Sequence, residues 1–231
     1  MKLNNYYYTV LFGLLALAVW SCNKTGDDTP VAGSTSTLDV INAVTDIRAI
    51  DFYLNGTRQN NNSAIYLYNQ SGYLTVGTGI QQYQFKNDSP RVVLADIQLN
   101  PAIAGASYTC VLAGQQSKNN LTPIFIADNF IIDTTNRARV RFVQASPGTA
   151  AYDVFVGDTL SFKNNAFKAY TGFQSVGGGK KTVKVNLAGT TTNIYTGTVT
   201  IQPYSYYTLL TEGVQGGTGN NAFTVSVNLS R

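Results

Sequence analysis

An all-β chain, built as two tandem immunoglobulin-like β-sandwich domains, is what this sequence predicts, and three observations predict it. The first is an internal duplication. Leu38-Asp39-Val40-Ile41-Asn42-Ala43, then Ala49-Ile50-Asp51-Phe52-Tyr53-Leu54-Asn55-Gly56, returns about 100 positions later as Val140-Arg141-Phe142-Val143-Gln144-Ala145, then Ala151-Tyr152-Asp153-Val154-Phe155-Val156-Gly157-Asp158. A repeat of that length is domain-sized, far longer than a solenoid unit. The second is composition. There are 15 Tyr and 11 Phe beside abundant Val, Thr and Ile, with a single Glu, which favours strands over helices. The third is punctuation: clusters such as Asn55-Gly56, Asn60-Asn61-Asn62, Gly177-Gly178-Gly179 and Gly216-Gly217 recur between short apolar segments.

Taken in order, residues 1–21 are an export segment. Lys2 supplies charge, and Val10 to Trp20 is an apolar run too short to span a bilayer as a helix, which needs about 20 residues. Residues 22–36, rich in Asn, Thr, Gly, Asp and Ser, lack the apolar area needed to pack and read as a flexible tether reaching on the order of 20 Å. The first repeat, 37–132, is expected to hold strands near 38–44, 50–55, 63–68, 72–76, 81–86, 91–99, 106–113 and 122–132. A short linker, 133–137, leads to the second repeat, 138–231, with strands near 138–145, 151–157, 159–163, 167–174, 180–188, 193–202, 205–213 and 221–229. So short a linker is expected to hold the domains as a semi-rigid rod. The copies stay in step: Ser71-Gly72-Tyr73 returns as Thr171-Gly172-Phe173, and Tyr108-Thr109-Cys110 as Tyr207-Thr208-Leu209.

The composition removes most catalytic devices. With no His, neither a Ser-His-Asp nor a Cys-His arrangement can be built, and the commonest zinc ligand is missing. The eleven Asp are scattered singly apart from Asp27-Asp28, so no paired-carboxylate site is legible. No phosphate-cradling Gly loop and no cluster of Asp at calcium-loop spacing appears. The chain is expected not to be an enzyme and to need no cofactor or metal. The counterpart of Cys110 in the second copy is Leu209, so Cys110 is expected to be a buried small hydrophobe.

Candidate contact residues remain. Tyr66, Tyr68, Tyr204 and Tyr206 offer flat apolar faces with polar tips, suited to sugar rings, although alternation sends about half of such Tyr into a core. Arg139 and Arg141 share a strand face with Arg137, and Lys180, Lys181 and Lys184 form a second basic group. The contact reading is an anion or acidic glycan; a solvated face that blocks edge pairing is favoured over it. Asp51 and Asp153 are the acids common to both copies, expected to bond backbone donors at a bend. A pI near 9.0 on an exported chain without a nucleic-acid motif gives no reason to expect nucleic acid.

Two resemblances add to this. Ala18-Val19-Trp20-Ser21-Cys22 resembles the lipobox of bacterial lipoproteins, which implies a chain that begins at a lipidated Cys22 and is held at the outer membrane or cell surface. The Asp27-Asp28 pair behind it is similar to the acidic export tags of surface lipoproteins in Bacteroidetes. Ala138-Arg139-Val140-Arg141-Phe142-Val143-Gln144-Ala145-Ser146-Pro147-Gly148, with Asp153-Val154-Phe155-Val156-Gly157, resembles the opening of the domain-of-unknown-function family 4397. Gln144 and Gly148 stand where that family often has His and Asp. The family implies a β-sandwich outside the cytoplasm and transfers no catalytic residue. The function expected is therefore non-catalytic: a cell-envelope lipoprotein acting as a surface binding module, with glycans or a surface protein as partner. The alternative is a structural or adhesion subunit, fimbrial or matrix, that assembles through β-strand pairing.

Overall fold

Alternating and doubly apolar segments form seventeen strands in a computed structural model that describes residues 34–60, 63–99, 103–131 and 134–231. The expected signal segment, Cys22 and nearly all of the tether lie outside the described residues. The first repeat contains β1 (Thr35–Val44), β2 (Ala49–Leu54), β3 (Thr57–Arg58), β4 (Ile65–Tyr66), β5 (Gln70–Gly77), β6 (Gln81–Asn87), β7 (Val93–Leu99), β8 (Ser107–Gly114) and β9 (Thr122–Ala127). The second contains β10 (Arg137–Gln144), β11 (Tyr152–Val156), β12 (Thr159–Asn165), β13 (Gln174–Gly177), β14 (Gly179–Leu187), β15 (Asn193–Ile201), β16 (Tyr206–Glu212) and β17 (Thr224–Leu229). β1 starts two residues inside the expected tether and β10 starts inside the expected linker. The strand expected over 167–174 is confined to 174–177, because Lys168 turns the chain with φ +77°.

Each repeat is a sandwich of two sheets. In the first, the order β5-β1-β8-β9 faces β3-β2-β6-β7; in the second, β13-β10-β16-β17 faces β12-β11-β14-β15. The opening strand of each copy pairs in parallel with the penultimate one, β1 with β8 and β10 with β16, so both are central and covered on two sides. Leu38, Val40, Phe52, Phe85, Cys110 and Leu112 fill the first core; Val140, Phe142, Val154, Phe162, Val183 and Leu209 fill the second.

A third apolar cluster lies between the repeats. Ile41, Ala43, Val111, Ala113, Ile124 and Ile126 from the first copy pack against Val143, Ala145 and Leu210 from the second. These are the other faces of β1, β8, β9, β10 and β16, so two sheets stack back to back and the sandwiches form four consecutive layers. What couples the repeats is therefore burial of two sheet faces, and not the brevity of the connection at 133–137 that led to the expectation of a rod.

Candidate functional site

The stacked sheets leave a groove of about 650 Å³ along one flank. One wall is the loop and strand stretch that includes Ser63, Ile65, Tyr66, Asn69, Gln70 and Ser71 of the first repeat; the other is Val227, Asn228 and Leu229 on the edge strand β17 of the second. Two bonds join the repeats here. Tyr68 donates its hydroxyl to the Asn220 carbonyl at 2.7 Å, and Gln70 Nε2 donates to the Leu229 carbonyl at 3.1 Å. Asn60 holds the first wall in shape: its side-chain oxygen accepts from Phe52 N–H at 2.8 Å, and its Nδ2 donates to the Ser63 carbonyl and to Asp51. Asp51, almost fully buried, is ion-paired to Arg58 at 2.6 Å.

No residue lining the groove is charged. Tyr66 is 47% exposed, with the Arg48 guanidinium 5.7 Å from its ring centroid, and Asn69 beside it is exposed. Gln70 Oε1 is buried without a hydrogen-bond partner. The surface thus offers a flat ring flanked by amide and hydroxyl groups, a chemistry suited to an uncharged ligand rich in hydroxyls.

The second copy shows that this lining is not demanded by the fold. Tyr68 N–H bonds the Asn42 carbonyl at 2.8 Å as Lys168 N–H bonds that of Gln144 at 2.9 Å, and both residues have positive φ. Asn42 and Gln144 in turn donate to the carbonyls of Asn69 and Ala169. By this alignment Tyr66, Asn69 and Gln70 correspond to Ala166, Ala169 and Tyr170. On that side Phe167 packs against the inter-repeat cluster.

The candidate residues read from sequence do not converge. Tyr66 lines the groove, and half-buried Tyr68 ties the repeats together. Burial, followed by the nearby Glu212 carboxylate, pushes the Tyr68 hydroxyl up to about 12. Tyr204, 61% exposed, precedes β16, whereas the Asn220 that Tyr68 touches lies past its far end, so the two rings are separated by the length of that strand.

Tyr206 and Arg141 are corrections: neither is a surface group. Tyr206 is buried, bonds both backbone groups of Ile131, and meets Phe130 and Phe173 edge-on with centroids 4.9 Å away. Arg141 is 1% exposed. Its Nη1 pairs with Asp128 Oδ1 at 2.5 Å, Nη2 donates to Thr109 at 2.7 Å, Nε donates to Thr208 at 2.8 Å, and Phe173 lies 4.6 Å beneath it. The face expected to meet solvent meets the other repeat. Arg139 is half-buried above this cluster and lines a smaller cavity of about 200 Å³ with Phe173 and Tyr206.

Asp153 accepts from the N–H groups of Asn164 and Gly189 at 2.7 and 2.9 Å. Cys110 is buried, and burial pushes its thiol up to about 12. Sequence reasoning missed Asn60, Asn69, Gln70 and Asn228; for Asn69 and Gln70 the one signal was the difference between copies at aligned positions. Among the described residues no three His, Cys, Asp or Glu side chains gather as a metal site would require.

A family model described as a domain of unknown function (DUF4397) matches residues 36–148 and again 138–228. No curated protein matches the chain. One similar solved structure is the crystal structure of CBMbc, a family 26 carbohydrate-binding module from Eubacterium rectale Amy13K, in complex with maltoheptaose. It is 13% identical, the match covers 83% of this chain and 96% of that one, and the TM-score is 0.25. A TM-score of that size says nothing about shared fold or ligand.

Proposed function

The chain belongs to the DUF4397 family, here as two tandem copies, and on that premise we propose that it is a non-catalytic binding module of the cell envelope. In this reading it is anchored through a lipidated Cys22 at the outer membrane or cell surface, and the inter-repeat groove takes a neutral glycan. The observation that carries the reading is the groove lining: uncharged, amide-rich, with Tyr66 presented on one wall, and replaced by Ala166, Ala169 and Tyr170 in the other copy. A hydroxylated ring stacks on such a face and exchanges its water for amide hydrogen bonds at little electrostatic cost. The absence of His supports a role in contact and not in conversion. The sole Glu, Glu212, is fully buried, so it offers no acid to a bound substrate.

The test is a neutral-glycan array probed with the full mature chain, followed by titration of any hit against Tyr66→Ala and Asn69→Ala. Loss of a ring contact and an amide contact should each weaken binding by about 1 kcal/mol or more. Absence of saturable binding to any neutral glycan, or binding indifferent to both substitutions, would end this reading.

A specific observation favours the second reading, assembly by strand pairing. β15 is a nine-residue edge strand, Asn-Ile-Tyr-Thr-Gly-Thr-Val-Thr-Ile, with no charge and no Pro, so it lacks the usual guards against pairing with another chain. Concentration-dependent oligomers abolished by Thr198→Lys would favour that reading.

A further inference from the structure

A different corner of the molecule carries a charge arrangement that the groove does not use. At the mouth of the second sandwich, β10 and β14 come from opposite sheets, and each contributes a cation. A Cβ placed on Gly177 would stand 3.9 Å from Arg137 Nη1 and 4.0 Å from Lys181 Nζ, so the two charged ends share one small volume that a larger residue would occupy. Arg137 is held there: its Nε donates to Ser175 Oγ at 2.7 Å and its Nη2 to the Ser175 carbonyl at 3.3 Å. Among the described residues neither cation has a carboxylate partner. Both line a cavity of about 360 Å³ that also presents Thr159, Ser161 and Gln174.

Two cations held this close repel one another, and an anion between them removes that repulsion. The fold does not require them. Arg137 pairs with Gly177 in the ladder as Thr35 pairs with Gly77, and Lys181 approaches Gly177 as Gln81 Nε2 approaches Gly77, at 3.4 Å. The same corner of the first copy is therefore neutral, with Gln81 bonded to the Thr78 carbonyl at 2.9 Å. The first copy builds its sandwich without either charge.

We propose that Arg137 and Lys181 form a binding site for the anionic group of an acidic polysaccharide, a uronate carboxylate or a sulfate ester. Guanidinium and ammonium donors suit either oxyanion, and the hydroxyl and amide groups of Thr159, Ser161 and Gln174 suit the sugar that bears it. The site is a recess between β12 and β13, a shape fitted to a chain substituent and not to a flat lipid surface.

The experiment titrates the full mature chain with an oligogalacturonate, a carrageenan oligosaccharide and a neutral dextran oligosaccharide, and separately with vesicles of phosphatidylcholine containing phosphatidylglycerol. Binding of the uronate, the sulfate ester or both is expected, with none to dextran at this site and with affinity falling as salt is raised. Arg137→Thr with Lys181→Gln installs the first copy's residues and should weaken binding by about tenfold or more, while Lys184→Gln, on the outward face of β14, should change it little. Lys181→Glu alone should give the same loss, should the double variant melt early. Tyr66→Ala leaves this binding intact, which separates it from the groove. Dextran binding that both variants weaken as much as they weaken binding of the acidic chains, binding of the acidic chains undiminished by both variants, or capture by anionic vesicles alone would overturn the proposal.

Discussion

Arg141 and Asp39 occupy the same position in the two copies, and the difference between them organises the inter-repeat interface. Arg141 crosses to Asp128 and Thr109 of the first repeat while holding Thr208 of its own. Tyr73 donates to Asp128 at 2.6 Å, so that carboxylate is fully engaged. Truncating Arg141 to Met leaves Asp128 buried and uncompensated, which should cost about 3–5 kcal/mol in denaturant unfolding, and Asp128→Asn in that background should recover part of the loss. Asp39, left beside this pair, has its carboxyl pushed up to about 6, first by burial, against the pull of the Ser71 hydroxyl.

Glu212 shows the same logic without a partner. It is fully buried, stands where the first copy has Ala113, and neither oxygen has a partner at hydrogen-bond geometry, although the nearby Ser226 hydroxyl draws the other way. Burial pushes its carboxyl up to about 8. The unfolded chain releases that proton near the ordinary carboxylate value, about 4.3, whereas the folded chain keeps it to about 8. Stability therefore falls as pH rises between those values, by about 1.4 kcal/mol per pH unit, and levels off on either side. Glu212→Gln should remove that slope, so its advantage over the parent in chemical denaturation grows from pH 5 to pH 8. An advantage that is the same at both pH values would show that Glu212 ionises normally in the fold. Neither role was legible in the sequence, because a charged residue on a strand face looks the same whether water or a second sheet covers it.

At the scale of elements, periodicity placed most strands to within a few residues, from β1 at Thr35–Val44 to β17 at Thr224–Leu229. It failed where conformation, and not polarity, ends a strand, as at Lys168 and at the two-residue β3. The ends of β8 and β16 show the conformational control most clearly. Gly114 and Gly213 both have positive φ, and a Cβ on either would run into the backbone of the following loop, at Asn120 and Ala222 respectively. Gly213→Ala should therefore cost about 1–3 kcal/mol, from left-handed backbone and displaced loop together, readable as a lowered melting temperature; Gly216→Ala, also at positive φ but in open space, should cost less. The groove depends on the same control, since Tyr68, with φ +66°, turns the chain between the ring of Tyr66 and the amide of Gln70.

For the whole molecule, the apolar cluster of Ile41, Val111, Ile126, Val143 and Leu210 joins two sandwiches that the sequence presents as two domains coupled by a short linker. The repeats should unfold together, in one calorimetric transition whose van't Hoff and measured enthalpies agree; two resolved transitions would mean that the interface contributes little. The clue was present in the doubly apolar segments Leu38–Val44, Tyr108–Ala113 and Val140–Ala145, since strands buried on both faces lose their alternation. Local order alone determined that the chain is all-β, duplicated and without His, because strand period, repeat and composition are legible along the chain itself. Which faces meet, and therefore that Arg141 is an interior clamp, that Tyr66 and Asn228 share a groove, and that Arg137 meets Lys181, was decided only by tertiary structure, because burial of a sheet's second face depends on a partner far away in sequence.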